Sequence, residues 1–187
     1  FTWLLWLPGF DGVRVTARFA MIATLCLAVT AGFGAAWLAA NPKPPSRQGK
    51  RPAWNIANAG TRLLNWLVHA PLILSGKDKA MREQVLSAID ANARWLDRNV
   101  SRAEDQLAQV AGWCGVVAAG LLMPDGKPRR LFGEAGLIRA LGELVGDDGG
   151  LLSRSPLGQM KAIALLTRLR ACYAATKRDM PVPVETM

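Results

Sequence analysis

The 187-residue chain is poor in the residues from which most metal and redox sites are built. It has one histidine, His69, and three cysteines, Cys26, Cys114 and Cys172, which are far apart and surrounded by apolar residues. One histidine excludes a multi-histidine metal site, and no cysteine spacing resembles a zinc or thiol-redox motif. We expect the cysteines to be buried as small apolar side chains. The sequence indicates no metal and no cofactor.

Strand-forming patterns and acidic residues are also scarce. Runs of Val, Ile and Thr with a period of two are nearly absent, which argues against β-strands. Asp and Glu number 14 against 23 Lys and Arg, which gives a formal charge of +9 and a pI near 10.2. This charge predicts attraction to a polyanion. No helix-turn-helix, RNA-binding or zinc-finger signature accompanies it, so specific nucleic-acid binding is not predicted.

Six long helical patterns joined by short turns predict an all-α fold with antiparallel neighbours. Ser101 and Glu104 match a capping box at one helix start, and Ser155 with Pro156 matches another start. The tail from Met180 is predicted to be extended. The helical patterns cover residues 13–40, 54–74, 77–100, 101–122, 129–145 and 155–177. The residues predicted to face the core include Leu63, Leu67, Met81, Leu86, Ile89, Leu96, Leu131, Leu137, Leu141, Ile163 and Leu169.

A linker divides the chain into two predicted regions. Residues 41–53 contain four prolines and four Lys or Arg residues, which prevent a continuous helix and make the segment cationic. We therefore predict an N-terminal region of apolar helices and linker at 1–53, and a continuous helical region at 54–187. The chain begins at Phe1 without Met, which indicates a processed chain or a fragment.

The uncharged stretch at residues 19–40 has two interpretations. It is long enough to span a bilayer and is flanked by basic residues. Thr24, Thr30, Gly32 and Gly34 make it only moderately hydrophobic, which favours a helix buried on all sides in the core.

Two segments carry candidate binding residues. Arg62, Asn65 and His69 are spaced i, i+3 and i+7, on one face of a predicted helix. Such a stripe is either the solvated side of an ordinary helix or the lining of a groove. The second segment is residues 147–156, where paired glycines permit a turn. There Arg154 precedes a helix N-terminus, which favours an anion.

These segments resemble, in order, parts of the N-terminal incomplete α/α-toroid of the heparinase II/III family. Thr-Arg-Leu-Leu-Asn-Trp-Leu at 61–67 is similar to the family's early Arg-containing helix ending in Asn-Trp-Leu. Ala-Ala-Gly-Leu-Leu at 118–122 is similar to its central apolar helix. Asp-Gly-Gly at 148–150 and Ser-Arg-Ser-Pro at 153–156 are similar to its Asp-Gly-Gly-His turn and the following helix start. The resemblance covers residues 54–175.

The resemblance implies an incomplete α/α-toroid of antiparallel helical hairpins that binds acidic, uronic-acid-containing polysaccharide, with a downstream β-sandwich domain as its partner. The family's chemistry is β-elimination: a cation or amide neutralises the uronate, a base removes the C5 proton and an acid protonates the leaving oxygen. Carried onto this chain, His69 is the candidate base and Asn65 a candidate hydrogen-bonding residue. The candidate substrate-binding residues are Arg62, Arg154, Trp54 and Trp66. Packing in the core is the competing interpretation for these tryptophans and for Trp113.

The chain departs from the family's pattern at its catalytic positions. Leu151 stands at the histidine of the turn, Leu-Gly-Gln at 157–159 stands where many members carry Tyr and His, and Gly-Trp-Cys at 112–114 replaces an Asn-His pair. The only tyrosine, Tyr173, lies mid-helix and is expected in the core. We therefore predict a polysaccharide-binding module whose lyase activity is lost or depends on other residues. The alternative is a membrane-anchored helical interaction protein with a span at 19–40.

Overall fold

The computed structural model describes residues 12–41, 43–46, 52–103 and 105–186. These residues form helices and turns without a β-strand, which confirms the all-α prediction. Two 3-10 turns, at Pro52–Trp54 and Val100–Arg102, adjoin the helices. The α-helices are α1 (Gly12–Ala40), α2 (Ile56–Val68), α3 (Ala70–Ile73), α4 (Lys79–Asn99), α5 (Gln106–Leu122), α6 (Lys127–Leu144), α7 (Pro156–Ala175) and α8 (Val182–Glu185).

The chain divides into two compact units, Phe1–Pro42 and Lys43–Met187. Helix α1 belongs to the first unit, and α2 to α8 belong to the second. Within the part of the chain that the structure describes, no helix is both long enough and apolar enough to cross a membrane.

Helix α1 presents much of its apolar surface to solvent. Met21, Leu25 and Phe33 are all more than half exposed, at 73%, 64% and 72%. Cys26 is exposed as well, so the prediction that all three cysteines are buried is wrong for this one. The prediction of a helix buried on all sides is also wrong for most residues of α1 whose burial is described, because they are exposed; Leu38 is buried.

Helix α5 is the centre of the second unit. Every residue from Val110 to Gly120 is buried. The helix packs against α2, α4, α6 and α7, and for this reason its sequence is apolar on all sides. Predicted core residues on the surrounding helices are buried: Leu63, Leu67, Ile89, Leu96, Leu137, Leu141 and Leu169.

Helices α5 and α6 run antiparallel at close range. A Cβ on Gly120 would lie 2.4 Å from the backbone nitrogen of Arg130, and a Cβ on Gly136 would lie 2.4 Å from the Trp113 ring. A residue late in α5 therefore lies beside one early in α6, and a residue earlier in α5 lies beside one later in α6. The two helices thus run in opposite directions. The glycines permit a separation that a side chain would prevent.

Helix α2 approaches α5 just as closely. A Cβ on Gly60 would lie 2.2 Å from the Ala111 carbonyl oxygen, well inside the 3.4–4 Å of ordinary contact. The obstacle is backbone, which cannot rotate away as a flexible side chain can. Gly60 therefore sets the distance between these two helices.

The start of α5 differs from the capping-box prediction. Asp105 is the N-cap, and its Oδ2 accepts the Ala108 N–H at 3.0 Å. Ser101 lies in the 3-10 turn Val100–Arg102 that follows α4, so the prediction that it caps α5 is wrong. Asp105 takes this role because a carboxylate accepts the first N–H groups and also interacts favourably with the helix dipole. Glu104 lies outside the described residues.

Some finer predictions are also wrong. Met81, Leu86, Leu131 and Ile163 were expected in the core and are 40–55% exposed. A helical period alone does not set the rotation of a helix against its neighbours, so it cannot decide which apolar residues are buried. The C-terminal tail, predicted to be extended, contains α8, and Val184 of this helix is buried.

Candidate functional site

The first candidate cluster is built around Arg62, in the middle of α2. Its guanidinium carbon lies 5.0 Å from the centroid of the Trp54 ring and 5.7 Å from that of Trp66. Nη1 donates to the Ala53 carbonyl oxygen at 2.7 Å, and Nη2 donates to Asn92 Oδ1 at 3.1 Å. Arg62 therefore joins α2 both to the segment that precedes it and to α4.

Burial shapes the electrostatics of this cluster. The Arg62 side chain is half-buried, and burial lowers the pKa of its guanidinium to about 10, so it stays charged at neutral pH. Asn92 is fully buried, and its Nδ2 donates to a backbone carbonyl of α2 at 3.2 Å. Trp54 is buried and packs on Trp95 with ring centroids 5.4 Å apart. Trp66 is half-buried and so retains partial access to solvent.

Asn65 and His69 follow Arg62 toward the end of α2. Asn65 is half-buried one turn further on, and its backbone carbonyl accepts the His69 N–H at 3.0 Å. His69 ends α2 with an exposed side chain, about 10 Å from Arg62 along the helix axis. The structure thus brings Arg62, Trp54 and Trp66 together and leaves His69 at the exposed end of the helix.

The turn before α7 is held by its own hydrogen bonds. Gly149 adopts a φ of +74°, where glycine avoids strain, and Val145 and Leu151 form an isolated antiparallel bridge. Gln159 Oε1 accepts the Leu151 N–H at 3.0 Å, and its Nε2 donates to the Gly149 carbonyl oxygen at 3.4 Å. Gln159 therefore fixes the turn onto α7, a role for which the sequence carried no signal.

Arg154 lies within the same turn and pairs with Asp148. Its Nη1 is 2.5 Å from Asp148 Oδ2, and both side chains are exposed. The hydrogen bond from Arg154 lowers the pKa of the Asp148 carboxyl. An anion bound by Arg154 would therefore compete with this carboxylate. The predicted helix start is confirmed: Ser155 Oγ accepts the Gly158 N–H at 3.1 Å, and Pro156 is the first residue of α7.

A buried polar network links α6 to α7. Glu134 Oε1 accepts hydrogen bonds from Tyr173 Oη at 2.6 Å and from Arg130 Nη1 at 2.7 Å. Burial is the largest cause that raises the pKa of Tyr173, and the hydrogen bond to Glu134 raises it further. Tyr173 is in the core, as predicted, and its neutral hydroxyl is bound to Glu134. The i, i+4 spacing of Arg130 and Glu134 is visible in the sequence, whereas the distant tyrosine has no local signal.

The two buried cysteines are protonated at neutral pH. Burial raises the pKa of Cys114 to about 12 and that of Cys172 to about 11. A thiol must ionise to act as a nucleophile or a metal ligand. These two residues are therefore structural.

An apolar groove of about 460 Å³ lies among the ends of α2, α5 and α7, the short helix α3 and the middle of α4. Its lining includes Leu67, Pro71, Leu86, Ile89 and Met123, and none of the lining side chains is charged. Leu86, an expected core residue, is exposed where it lines this groove. The groove supplies no acid, base or cation for polysaccharide chemistry.

Across the described ranges, no group of three or more His, Cys, Asp or Glu side chains could hold a metal ion. Comparison of the chain with protein-family models, curated protein sequences and solved structures gives no match.

Proposed function

We propose that the chain is an incomplete α/α-toroid module of heparinase II/III type that binds acidic, uronic-acid-containing polysaccharide. The observation that carries the proposal is that the segments at 61–67, 118–122 and 148–156 belong to, or directly precede, helices that pack against one another. They lie in α2, in α5 and at the start of α7. Helix α5 packs against both α2 and α7, and α2 packs against α7. The segments that resemble the family therefore belong to one packed unit.

Connectivity supports the toroid part of the proposal. Helices α5 and α6 form an antiparallel pair joined by a turn of four residues, 123–126. Short connections between packed helices are the basis of helical-hairpin folds. A central helix enclosed by outer ones also suits a double-layered arrangement.

Charge and chemistry support the ligand class. The formal charge of +9 attracts polyanions, and uronic acids carry carboxylates along the chain. In the Arg62 cluster, a charged guanidinium lies against Trp66, which is half-buried. A guanidinium suits a carboxylate, and an indole face suits the apolar side of a sugar ring.

The residues at the family's catalytic positions support binding rather than elimination. Leu151 is buried, the Gly158 N–H is used by the helix cap, and Gln159 holds the turn. Elimination by this chain would use His69 as the base and Asn65 or Arg62 at the uronate carboxylate. His69 lies about two turns from Arg62, so one uronate residue would have to span that distance.

Calorimetric titration with heparan sulfate, with alginate and with an uncharged polysaccharide tests the proposal. We expect binding of the two acidic chains that weakens as salt rises, and no binding of the neutral chain. Equal affinity for the neutral chain, or no binding of either acidic chain at low salt, would overturn it. Ultraviolet absorbance of unsaturated product, compared between the wild type and His69→Ala, tests elimination separately.

A further inference from the structure

The solvent face of the C-terminal half of α4 is made of arginine. Between residues 92 and 100 the only exposed positions are Arg94 and Arg98. Arg102, one turn further on, is exposed as well. Arg94 and Arg98 are one turn apart on α4, about 6 Å along its axis, and Arg102 follows in the 3-10 turn Val100–Arg102. We call Arg94, Arg98 and Arg102 the arginine ridge.

One of the three ridge arginines forms an ion pair with a carboxylate among the described residues. Asp97 lies beside it but pairs with Arg129 of α6 at 2.9 Å. Asp90 pairs with the first arginine of the ridge. Among the residues that the structure describes, no carboxylate forms an ion pair with Arg98 or Arg102. Within the described part of the chain, the ridge therefore presents two arginines, Arg98 and Arg102, that have no ion-pair partner.

Backbone contacts help to order the ridge. Arg98 Nε donates to the Arg94 carbonyl oxygen at 3.1 Å, which restrains the stem of that side chain. The Asp97–Arg129 pair fastens the same end of α4 to the start of α6. An ordered guanidinium loses less conformational entropy on binding an anion than a free one does.

We propose that the arginine ridge is a further surface, besides the Arg62 cluster, that binds the anionic groups of the polysaccharide, an inference that rests on the function proposed above. A linear acidic polysaccharide carries carboxylates or sulfates in series, and guanidinium forks bind such groups through paired hydrogen bonds. The face offers no aromatic ring for base stacking, because Trp95 is buried. It also offers no exposed apolar side chain between residues 92 and 100 for insertion into a membrane.

A pair of charge-matched double variants tests the ridge. Arg98→Gln with Arg102→Gln removes two ridge charges. Arg139→Gln with Arg170→Gln removes two exposed charges from α6 and α7. We expect the ridge variant to bind heparan sulfate about tenfold more weakly, at about 0.7 kcal/mol for each exposed ionic contact. The control variant should stay within about twofold of the wild type, because it changes only the long-range field.

The outcomes separate this inference from the proposed function. If both double variants lose affinity for heparan sulfate equally, the proposed role of the ridge is wrong, whereas the proposed polysaccharide binding still holds. Failure of the wild type to bind any acidic polysaccharide would overturn the proposed function, and the ridge with it. A parallel titration uses a single-stranded oligonucleotide. If the ridge variant loses affinity for the oligonucleotide alone, the ridge binds nucleic acid and the polysaccharide assignment is wrong. Circular dichroism of each variant is the control that checks whether the fold is retained.

Discussion

Replacing Gly60 by alanine tests the close contact of α2 with α5 around which the second unit is packed. The added Cβ would lie 2.2 Å from the Ala111 carbonyl oxygen, so the two backbones must separate by about 1 Å to reach the 3.4 Å of an ordinary contact. Overpacking of this kind costs about 1–3 kcal/mol. Alanine recovers up to about 1 kcal/mol through its better helix propensity. Because backbone is the obstacle, we expect a net loss of about 2 kcal/mol in the free energy of unfolding.

Gly142→Ala is the matched control. Gly142 lies inside α6, and a Cβ there meets no atom within 4 Å, so alanine should raise the free energy of unfolding by about 0.5–1 kcal/mol. Urea denaturation followed by circular dichroism measures both changes as shifts of the midpoint at constant slope. If Gly60→Ala is as stable as Gly142→Ala, the close contact between α2 and α5 is wrong.

The α5 cap, the Arg62 cluster and the buried thiols each make a measurable prediction. Asp105→Ala should lower the free energy of unfolding by about 1 kcal/mol, and Ser101→Ala by less than about 0.5 kcal/mol; the reverse order in urea titrations would restore the capping box. Arg62→Met should cost about 1–3 kcal/mol in the same assay, because it removes two partly buried hydrogen bonds from a charged group; no loss would contradict the role of Arg62 in joining α2 to α4. Thiols of the unfolded chain ionise near pH 9, whereas burial raises the pKa of Cys114 to about 12 and that of Cys172 to about 11 in the folded protein. The contribution of the two thiols to the free energy of unfolding is therefore complete below pH 9 and is lost as pH rises through their folded pKa values. Melting temperatures should therefore fall over this range, and less steeply in a Cys114→Ala, Cys172→Ala variant; identical slopes would show that the thiols do not contribute.

Local patterns predicted the helices because each pattern has a nearby physical cause. The apolar run after Val110 predicted a helix with little polar surface, and α5 is enclosed by four others. Ser155 and Pro156 predicted the start of α7 because a cap involves only adjacent residues. Ser101 failed as a cap because Asp105, four residues further on, satisfies the first N–H groups of α5.

Long-range contacts account for what could not be predicted. Arg62 reaches Asn92, which is 30 residues away, and Tyr173 reaches Glu134, which is 39 residues away. Neither pair leaves a periodic or spacing signal in the chain. The helical wheel placed Arg62 and His69 on one face, but only Arg62 contacts the rings of Trp54 and Trp66. The arginine ridge was also missed. The i, i+4 spacing of its members is readable, but their exposure depends on how α4 packs against α2 and α5.

Calorimetric titration of the chain with heparan sulfate and alginate, at low and at physiological salt, is the direct test of acidic-polysaccharide binding. We predict saturable binding of both polysaccharides that weakens as salt rises, and about a tenfold loss of affinity in the Arg98→Gln, Arg102→Gln variant. Absence of binding at low salt, or equal binding of an uncharged polysaccharide, would contradict it.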